Sequence, residues 1–417
     1  MCWATGDDEG DAMTSPTPGT TPDYPFDRDT ALEPPREWAE LQERCPVAHV
    51  RLPSGDTAQL VTRYDDVRTV LSDGRFRRGG ADAARVSTTK DGGLFARSGG
   101  SGAAEGEGHL RWRRLLTPSF TIRKMETWRS RIQEMTDDLI DDLVKSGTPG
   151  NLSARLGLPL PVRVICALVG APAEDQDKFA HWSQVMLTLT RYSQEEVERA
   201  YLEFNAYVSD LVDAKRATPG DDLLSELTQI SDSQDGRLGH DELIATVRAL
   251  LLAGHETTSN MIAIMAAMLL AEPDRYQAVV DDPELIRGTV EEVLRLDSTL
   301  SVIGFPRVAT EDVDLDGRHV PAGSTIIPAR LAANRDPRKF DDPARFDPRR
   351  ENAAQHLAFG IGAHYCLGQP LARMELQVVL GTLTRRLPSL RLRDRPEDLR
   401  LRTGLLSGGL QDVWVTW

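Results

Sequence analysis

Near its C-terminal end the chain carries Cys366 within Phe359-Gly360-Ile361-Gly362-Ala363-His364-Tyr365-Cys366-Leu367-Gly368, just ahead of a helical pattern that opens at Gln369-Pro370. A cysteine at a helix N-terminus meets unpaired backbone N–H groups and the positive end of the helix dipole. Both favour an anionic sulfur and lower the thiol pKa. Gly360 and Gly362 permit the tight turns that would cradle a sulfur ligand against a flat cofactor. The other cysteines, Cys2, Cys45 and Cys166, lie far apart and show no metal-type spacing. Neither a zinc site nor a disulfide is expected of them, and a reducing cytoplasm fits. Cys166, in VRVICALVG, reads as core packing.

A second group of chemically able residues is Gly254-His255-Glu256-Thr257-Thr258-Ser259-Asn260. It interrupts a proline-free helical pattern from Asp241 to Leu270 that is apolar on nearly every side. Such a helix would run about 45 Å through the protein interior. Buried polar groups are costly unless paired, so the insert requires a reason. One reason is structural, with hydroxyls bonding back to the preceding turn and bending the helix.

The elements that would position these groups are mostly helical. Periodicity of the helical kind dominates from Arg111 to about Leu387, broken by turns at Pro149, Pro172, Pro219, Pro273 and Pro283. Residues 57–73 predict a short strand followed by an amphipathic helix, and Val302 to Ile327 predicts a small sheet with tight turns. Residues 79–107 are rich in Gly, Ala and Ser. A loop of that length in a compact domain is expected to act as a lid. Residues 1–23 lack the apolar content needed to order and are expected to form a disordered tail, with Met13 as an alternative start. The remainder, 24–417, is expected to be one domain.

The chain has 417 residues, 40% of them hydrophobic, which suffices for a large core. No apolar stretch approaches the about 20 residues that a membrane span needs. A formal charge of −15 argues against general nucleic-acid binding. Between His109 and Arg131, however, seven cations (Arg111, Arg113, Arg114, Arg123, Lys124, Arg129, Arg131) face one anion, Glu126. That segment is either a solvated helix face or a docking patch for an acidic protein.

The string FGIGAHYCLG resembles the haem-binding loop of the cytochrome P450 family, through Phe359, Gly360, Gly362, His364, Cys366 and Gly368. Ala253-Gly254-His255-Glu256-Thr257 is similar to that family's oxygen-binding stretch. Glu292-Val293-Leu294-Arg295 resembles its ExxR pair, with Arg345 of Asp342-Pro343-Ala344-Arg345-Phe346 as the third, structural member. The ExxR spacing alone recurs, for example at Glu126/Arg129, so its place between the long helix and the small sheet singles it out. The resemblance runs in order from Tyr24 onward.

It implies a mainly α (α+β) cytochrome P450 fold with haem between the long helix and the cysteine loop. Cys366 would be the thiolate ligand of haem b, and His109, Arg113, Arg307 and His364 would hold the propionates. Ala253 and Gly254 would leave room above the iron, while Glu256 and Thr257 would manage protons for the co-substrate dioxygen. The implied activity is a monooxygenase that hydroxylates or epoxidises a medium-sized, largely apolar natural-product intermediate. An acidic ferredoxin and ferredoxin reductase would supply NAD(P)H electrons to a cytoplasmic monomer, since the chain has no flavin or dinucleotide domain of its own. The cation-rich segment would be the docking face. Only six of the 49 basic residues are lysines, as in GC-rich actinomycete genomes, which favours antibiotic-type biosynthesis. Two rival readings are an enzyme of the same fold performing oxidative coupling, ring closure or peroxide-driven oxidation, and a non-catalytic haem protein. Residues expected to face the substrate are Val86 to Ala104, Met186 to Thr190, Leu250 to Thr257, Thr299 to Ile303 and Leu405 to Ser407.

Overall fold

The computed structural model describes residues 21–79, 83–88, 105–231, 238–297 and 304–417. Its axis is the helix His240–Ala271, which matches the proline-free pattern to within a residue at each end. Glu242 accepts a hydrogen bond from the Gly239 N–H and so caps the first turn. Pro273 cannot donate to a continuing helix and forces the chain out. Every residue from Met261 to Leu270 is buried. Full burial of each large apolar side chain contributes about 1.5–3 kcal/mol, so this stretch anchors the core.

Helices Pro159–Val169, Gln194–Ala217, Leu285–Leu296 and Gln369–Arg386 pack around that axis. Strands are confined to one side. They are β1 (Val47–Arg51), β2 (Thr57–Val61), β3 (Phe76–Arg78), β4 (Gly150–Asn151), β5 (Arg307–Ala309), β6 (Val313–Leu315), β7 (Arg318–Val320), β8 (Thr325–Pro328), β9 (Arg391–Leu392) and β10 (Trp414–Thr416). Among the described residues β1-β2-β8-β5-β3 form one sheet, β4-β10-β9 a second, and β6-β7 a hairpin. The first sheet is antiparallel except where β2 runs parallel to β8, with Gln59 opposite Ile326.

The strand and helix expected at 57–73 are β2 and the helix Tyr64–Ser72, and the interval from Val302 does supply β5 to β8. Those four strands do not make a sheet of their own, because β5 and β8 join β2 and β3 across more than 200 residues of sequence. The expectation that no cysteine is cross-linked is also corrected. Cys45 is disulfide-bonded. Separation along the chain does not bound separation in space. Most of the expected lid and of the N-terminal tail also lies outside the described residues. No helix among those described is long and apolar enough to cross a membrane.

Candidate active site

The cysteine loop is pinned by backbone bonds. Cys366 N–H donates to Phe359 O at 2.9 Å and Tyr365 N–H to Gly362 O at 3.0 Å. Gly360 and Gly362 take φ of +69° and +77°, a region that side chains disfavour. A Cβ at Gly362 would also come within 3.0 Å of Leu71 O and Ser72 Cα, so glycine is required there on both counts. Gly368 has an ordinary φ of −82° and caps the helix Gln369–Arg386. Its N–H bonds the Cys366 sulfur.

The expected lowering of the thiol pKa is corrected. Burial dominates and pushes Cys366 up, against the Gly368 N–H and the charges of Arg330, Arg113 and Arg373. The helix terminus therefore stabilises an anionic sulfur without making one unaided. A metal bound at the sulfur would complete that change, because a coordinating thiol is deprotonated outright.

Around this loop the structure gathers an excess of positive charge. On the helix Gly106–Leu116, His109 Nε2 lies 3.0 Å from Ala363 O and Arg113 donates to Tyr365 O at 2.9 Å. Arg307 is buried at the start of β5. His364 packs against His109 with ring centroids 4.1 Å apart and planes tilted by 36°, and it meets Glu105 Oε1 at 3.0 Å. The four residues expected to bind propionates are thus brought together.

Two more arginines join them that the motifs did not reveal. Arg78 is at the end of β3, and Arg330, which donates to Ala358 O at 3.0 Å, follows β8. Burial takes Arg78, Arg307 and Arg330 each down to about 10, and Arg307 further depresses both Arg78 and Arg330. Burial would raise Glu105, yet His364, the Arg78 N–H and the Arg307 charge hold it at about 2. His364 is taken down to about 4 by burial and is neutral at pH 7. Glu105 thus lies against both Arg78 and Arg307. Arg78 Nε and His364 Nδ1 are buried with no hydrogen-bond partner among the described residues. This donor set fits an iron porphyrin, whose propionates the arginines would hold and whose metal the sulfur would bind. Arg78 and Arg330 escaped sequence reading because neither belongs to a spaced motif.

On the long helix, Ala253 is exposed although most of its neighbours are buried. A Cβ at Gly254 would lie 2.7 Å from Ile165 Cδ1, so any side chain there would force Ile165 to shift. Thr257 Oγ1 donates to Ala253 O at 2.9 Å, and His255 Nδ1 sits 2.7 Å from Leu251 O. Back-bonding of this kind satisfies part of the polar insert. Glu256 is different. It is 3% exposed, neither oxygen has a partner among the described residues, and burial raises it to about 7 against the pull of Arg402. A carboxylic acid poised near neutral pH beside a hydroxyl can hold or release a proton.

The structural ion pair is present, with one correction. Arg295 and Glu292 are fully buried and joined by two bonds of 2.7 Å. The third member is Arg350 and not Arg345. Arg350 Nε donates to Glu292 Oε1 at 3.0 Å with its side chain 7% exposed. The Arg345 side chain is 63% exposed and pairs with Asp347, while its carbonyl accepts from Arg295 and Arg350. The Pro348-Arg349-Arg350 turn carries the inward cation because the backbone reverses between the two positions.

In the cation-rich segment, Arg111 pairs with Glu242, Arg129 with Glu126, and Arg113 turns inward. Arg114, Arg123, Lys124 and Arg131 stay exposed beside Ile122, which is 72% exposed. Of the segments expected to face substrate, Ser87 and Thr88 bond to Leu189 O, and Leu189 and Leu406 exchange backbone bonds with Gly404 and Leu187. Three separate stretches thereby meet. Thr299 to Ile303 lies outside the described residues.

The sequence profile described as Cytochrome P450 matches residues 179–406. The mycinamicin IV hydroxylase/epoxidase of Micromonospora griseorubida is 41% identical over 405 residues, spanning 97% of this chain and 100% of that protein. The nocardicin C N-oxygenase of Nocardia uniformis subsp. tsuyamanensis is 41% identical over 397 residues, spanning 95% and 99%. Among solved structures, SgvP, described as a thioether synthase candidate in the tailoring step of griseoviridin, superimposes with a TM-score of 0.90 at 38% identity, covering 95% of this chain and all of that one. With a pinned cysteine loop, a cluster of buried cations beside it and a polar insert in the long helix, the chain belongs to the cytochrome P450 family, as a monooxygenase of the actinomycete natural-product kind.

Proposed function

We propose that the chain binds haem b through the Cys366 sulfur and hydroxylates or epoxidises a medium-sized, largely apolar natural-product intermediate. The observation that carries the cofactor assignment is the convergence of Arg78, Arg113, Arg307 and Arg330 around the Cys366 loop, where Glu105 lies against Arg78 and Arg307. When bound, the haem supplies reductive activation of dioxygen, with one atom entering the substrate and the other leaving as water.

The chain's residues supply the rest. Cys366 holds the metal, and its electron density is shaped by the Gly368 N–H and three nearby arginines. The arginines fix the propionates, with His109 and His364 beside them. Ala253 adds little bulk at an exposed position of the long helix, and Gly254 lets that helix approach Ile165. Glu256 stores a proton near pH 7, and Thr257 presents a hydroxyl one residue on. The apolar character of Met186 to Leu189 and Leu405 to Leu406 supports an apolar substrate. The relatives named above are a hydroxylase/epoxidase of mycinamicin IV and an N-oxygenase of nocardicin C, which supports the natural-product class. Electrons come from an acidic ferredoxin and its NAD(P)H-dependent reductase in the cytoplasm, docking at Arg114, Arg123 and Lys124.

A second reading has specific support. The likeness to a thioether synthase candidate favours bond-forming oxidation, in which coupling within one substrate replaces oxygen insertion.

Two measurements test the proposal. Cys366→Ser is expected to leave a folded chain whose reduced carbon monoxide complex lacks the thiolate spectral signature, and a retained signature refutes the ligand assignment. Spectral titration with macrolide, peptide and terpenoid panels, followed by turnover with ferredoxin, reductase and NAD(P)H, is expected to give a product one oxygen heavier. A product lighter by two hydrogens would select the coupling reading.

A further inference from the structure

A second set of cations lies away from the cysteine loop. Arg191 and Arg402 line a pocket of about 520 Å³ together with Thr190, Thr403, Gly404 and Gln411. That volume is of the size that takes a small molecule. Thr190, Arg191, Thr403 and Gln411 are exposed, so the pocket opens to solvent. Its six lining residues include no aspartate or glutamate, in a chain whose acids outnumber its bases by 64 to 49. The walls are fixed by backbone bonds between remote segments. Leu189 and Thr190 N–H both donate to Gly404 O, at 2.8 and 3.2 Å, and Leu406 N–H donates to Leu187 O at 2.7 Å. Arg402 N–H donates to Gly409 O at 2.7 Å and Gln411 N–H to Arg400 O at 2.9 Å, which closes the C-terminal turn. Gly404 takes φ of +72°, and a Cβ there would fall 2.7 Å from Thr190 Oγ1, so the two walls meet at a position suited to glycine.

Arg402 is held from the long helix as well. Its guanidinium bonds Asn260 Oδ1, and Asn260 donates to Ser407 Oγ at 2.9 Å. These contacts leave the charge of both arginines uncompensated. Among the described residues neither makes an ion pair, since Arg402 bonds the neutral Asn260 and Arg191 lies 5.7 Å from the ring centre of its own neighbour Tyr192. Arg402 Nε is buried with no hydrogen-bond partner among the described residues. A buried guanidinium donor without an acceptor is costly, and an oxyanion in the pocket would supply the acceptor and the opposite charge together. The Thr190 and Thr403 hydroxyls add neutral donors. Each wall also runs directly into apolar chain, because Thr190 follows Met186 to Leu189 and Gly404 precedes Leu405 and Leu406.

We propose that this pocket binds an oxyanion, a carboxylate or phosphate group, with Arg191 and Arg402 as its cations, and that it anchors the charged end of a substrate whose apolar body lies along Met186 to Leu189 and Leu405 to Leu406. The anchoring role rests on the reading that those segments face the substrate. The anion site itself does not.

Two titrations of the haem-loaded full chain test the proposal. Inorganic phosphate, added at constant ionic strength, is followed by calorimetry. Arg191→Gln and Arg402→Gln are each expected to weaken its binding about tenfold, the effect of losing one charged hydrogen-bond donor group. Arg402→Lys, which keeps the charge, is expected to weaken it less. Arg191 is exposed, so its variant carries the test even where Arg402→Gln does not fold. Dodecanoate and its methyl ester are followed by the shift of the haem absorption. The acid is expected to bind about tenfold more tightly than the ester, and each neutral variant to remove that preference while leaving the ester unmoved. No phosphate binding, or binding unchanged in Arg191→Gln, overturns the anion site, and the phosphate arm reads it independently of the Cys366 assignment. Arginine-dependent phosphate binding with no preference for the acid keeps the site, assigns it to a free anion and overturns the substrate anchor.

Discussion

Glu292 and Glu256 are both buried glutamates on core helices, and they are treated in opposite ways. Glu292 is saturated. Its oxygens accept from Arg295 Nε and a second Arg295 nitrogen, from Arg350 Nε at 3.0 Å and from the Asp347 N–H at 3.1 Å. Arg295 spends its remaining donors on the carbonyls of Asn334, Pro343 and Arg345. Glu256 has no hydrogen-bond partner at all among the described residues. A buried carboxylate that receives several donors, two of them charged, is held in one place and serves as a strut. A carboxyl left unpaired at the same depth keeps its proton close to neutral pH and remains free to trade it. The same residue type thus becomes scaffold or reagent according to how many donors the fold aims at it.

This contrast can be broken most severely at the strut. Arg295→Ala strands the Glu292 charge in the core and is expected to cost about 3–5 kcal/mol, read as a lowered denaturation midpoint and reduced haem content. The corrected third member sharpens the same point. Arg350→Ala is expected to cost about 1–3 kcal/mol by unsatisfying Glu292, whereas Arg345→Ala at its exposed site should stay within about 0.5 kcal/mol. Equal losses at the two positions would refute the assignment of Arg350.

The reagent behaves with the reverse sign. Between the ordinary carboxyl value of 4.5 and its raised value of about 7, the folded chain keeps a proton that the unfolded chain gives up. The stability this proton brings is complete below the lower value and is lost as pH climbs to the higher one. Glu256→Gln has no such loss. It is therefore expected to gain on the parent as pH rises, by on the order of 2–3 kcal/mol above pH 7, in urea titrations at stepped pH. A constant difference from pH 4 to pH 8 would show that Glu256 is paired in solution. The mildest effect is expected at the surface. Charge reversal at Arg123 and Lys124 should slow ferredoxin-driven reduction by about tenfold at low salt, with the difference shrinking as salt rises.

Much of this was legible beforehand because its signals are local. The long helix declared itself by the absence of proline over 30 residues and by its apolar faces. Glu292 and Arg295 share a helix face by spacing alone. Gly360 and Gly362 stand where backbone geometry excludes other residues. The illegible parts share one cause, which is that their partners are remote in sequence. β3, β4 and β10 have two or three residues each and pair with strands far away in sequence. Arg78, Arg330 and Arg402 lie in segments with no motif, and their importance comes from the groups they meet.

The amino-acid sequence by itself determined the family, the helical frame, the cysteine loop and the acid–hydroxyl pair, since each is written in residue types at fixed short spacings. The tertiary structure alone decided which buried charges are neutralised and which are not. It chose Arg350 over Arg345, recruited Arg78 and Arg330 to the cysteine loop, and put Arg191 and Arg402 in one pocket. Charge balance in a low-dielectric interior depends on distances through space, and those are settled only when remote segments pack.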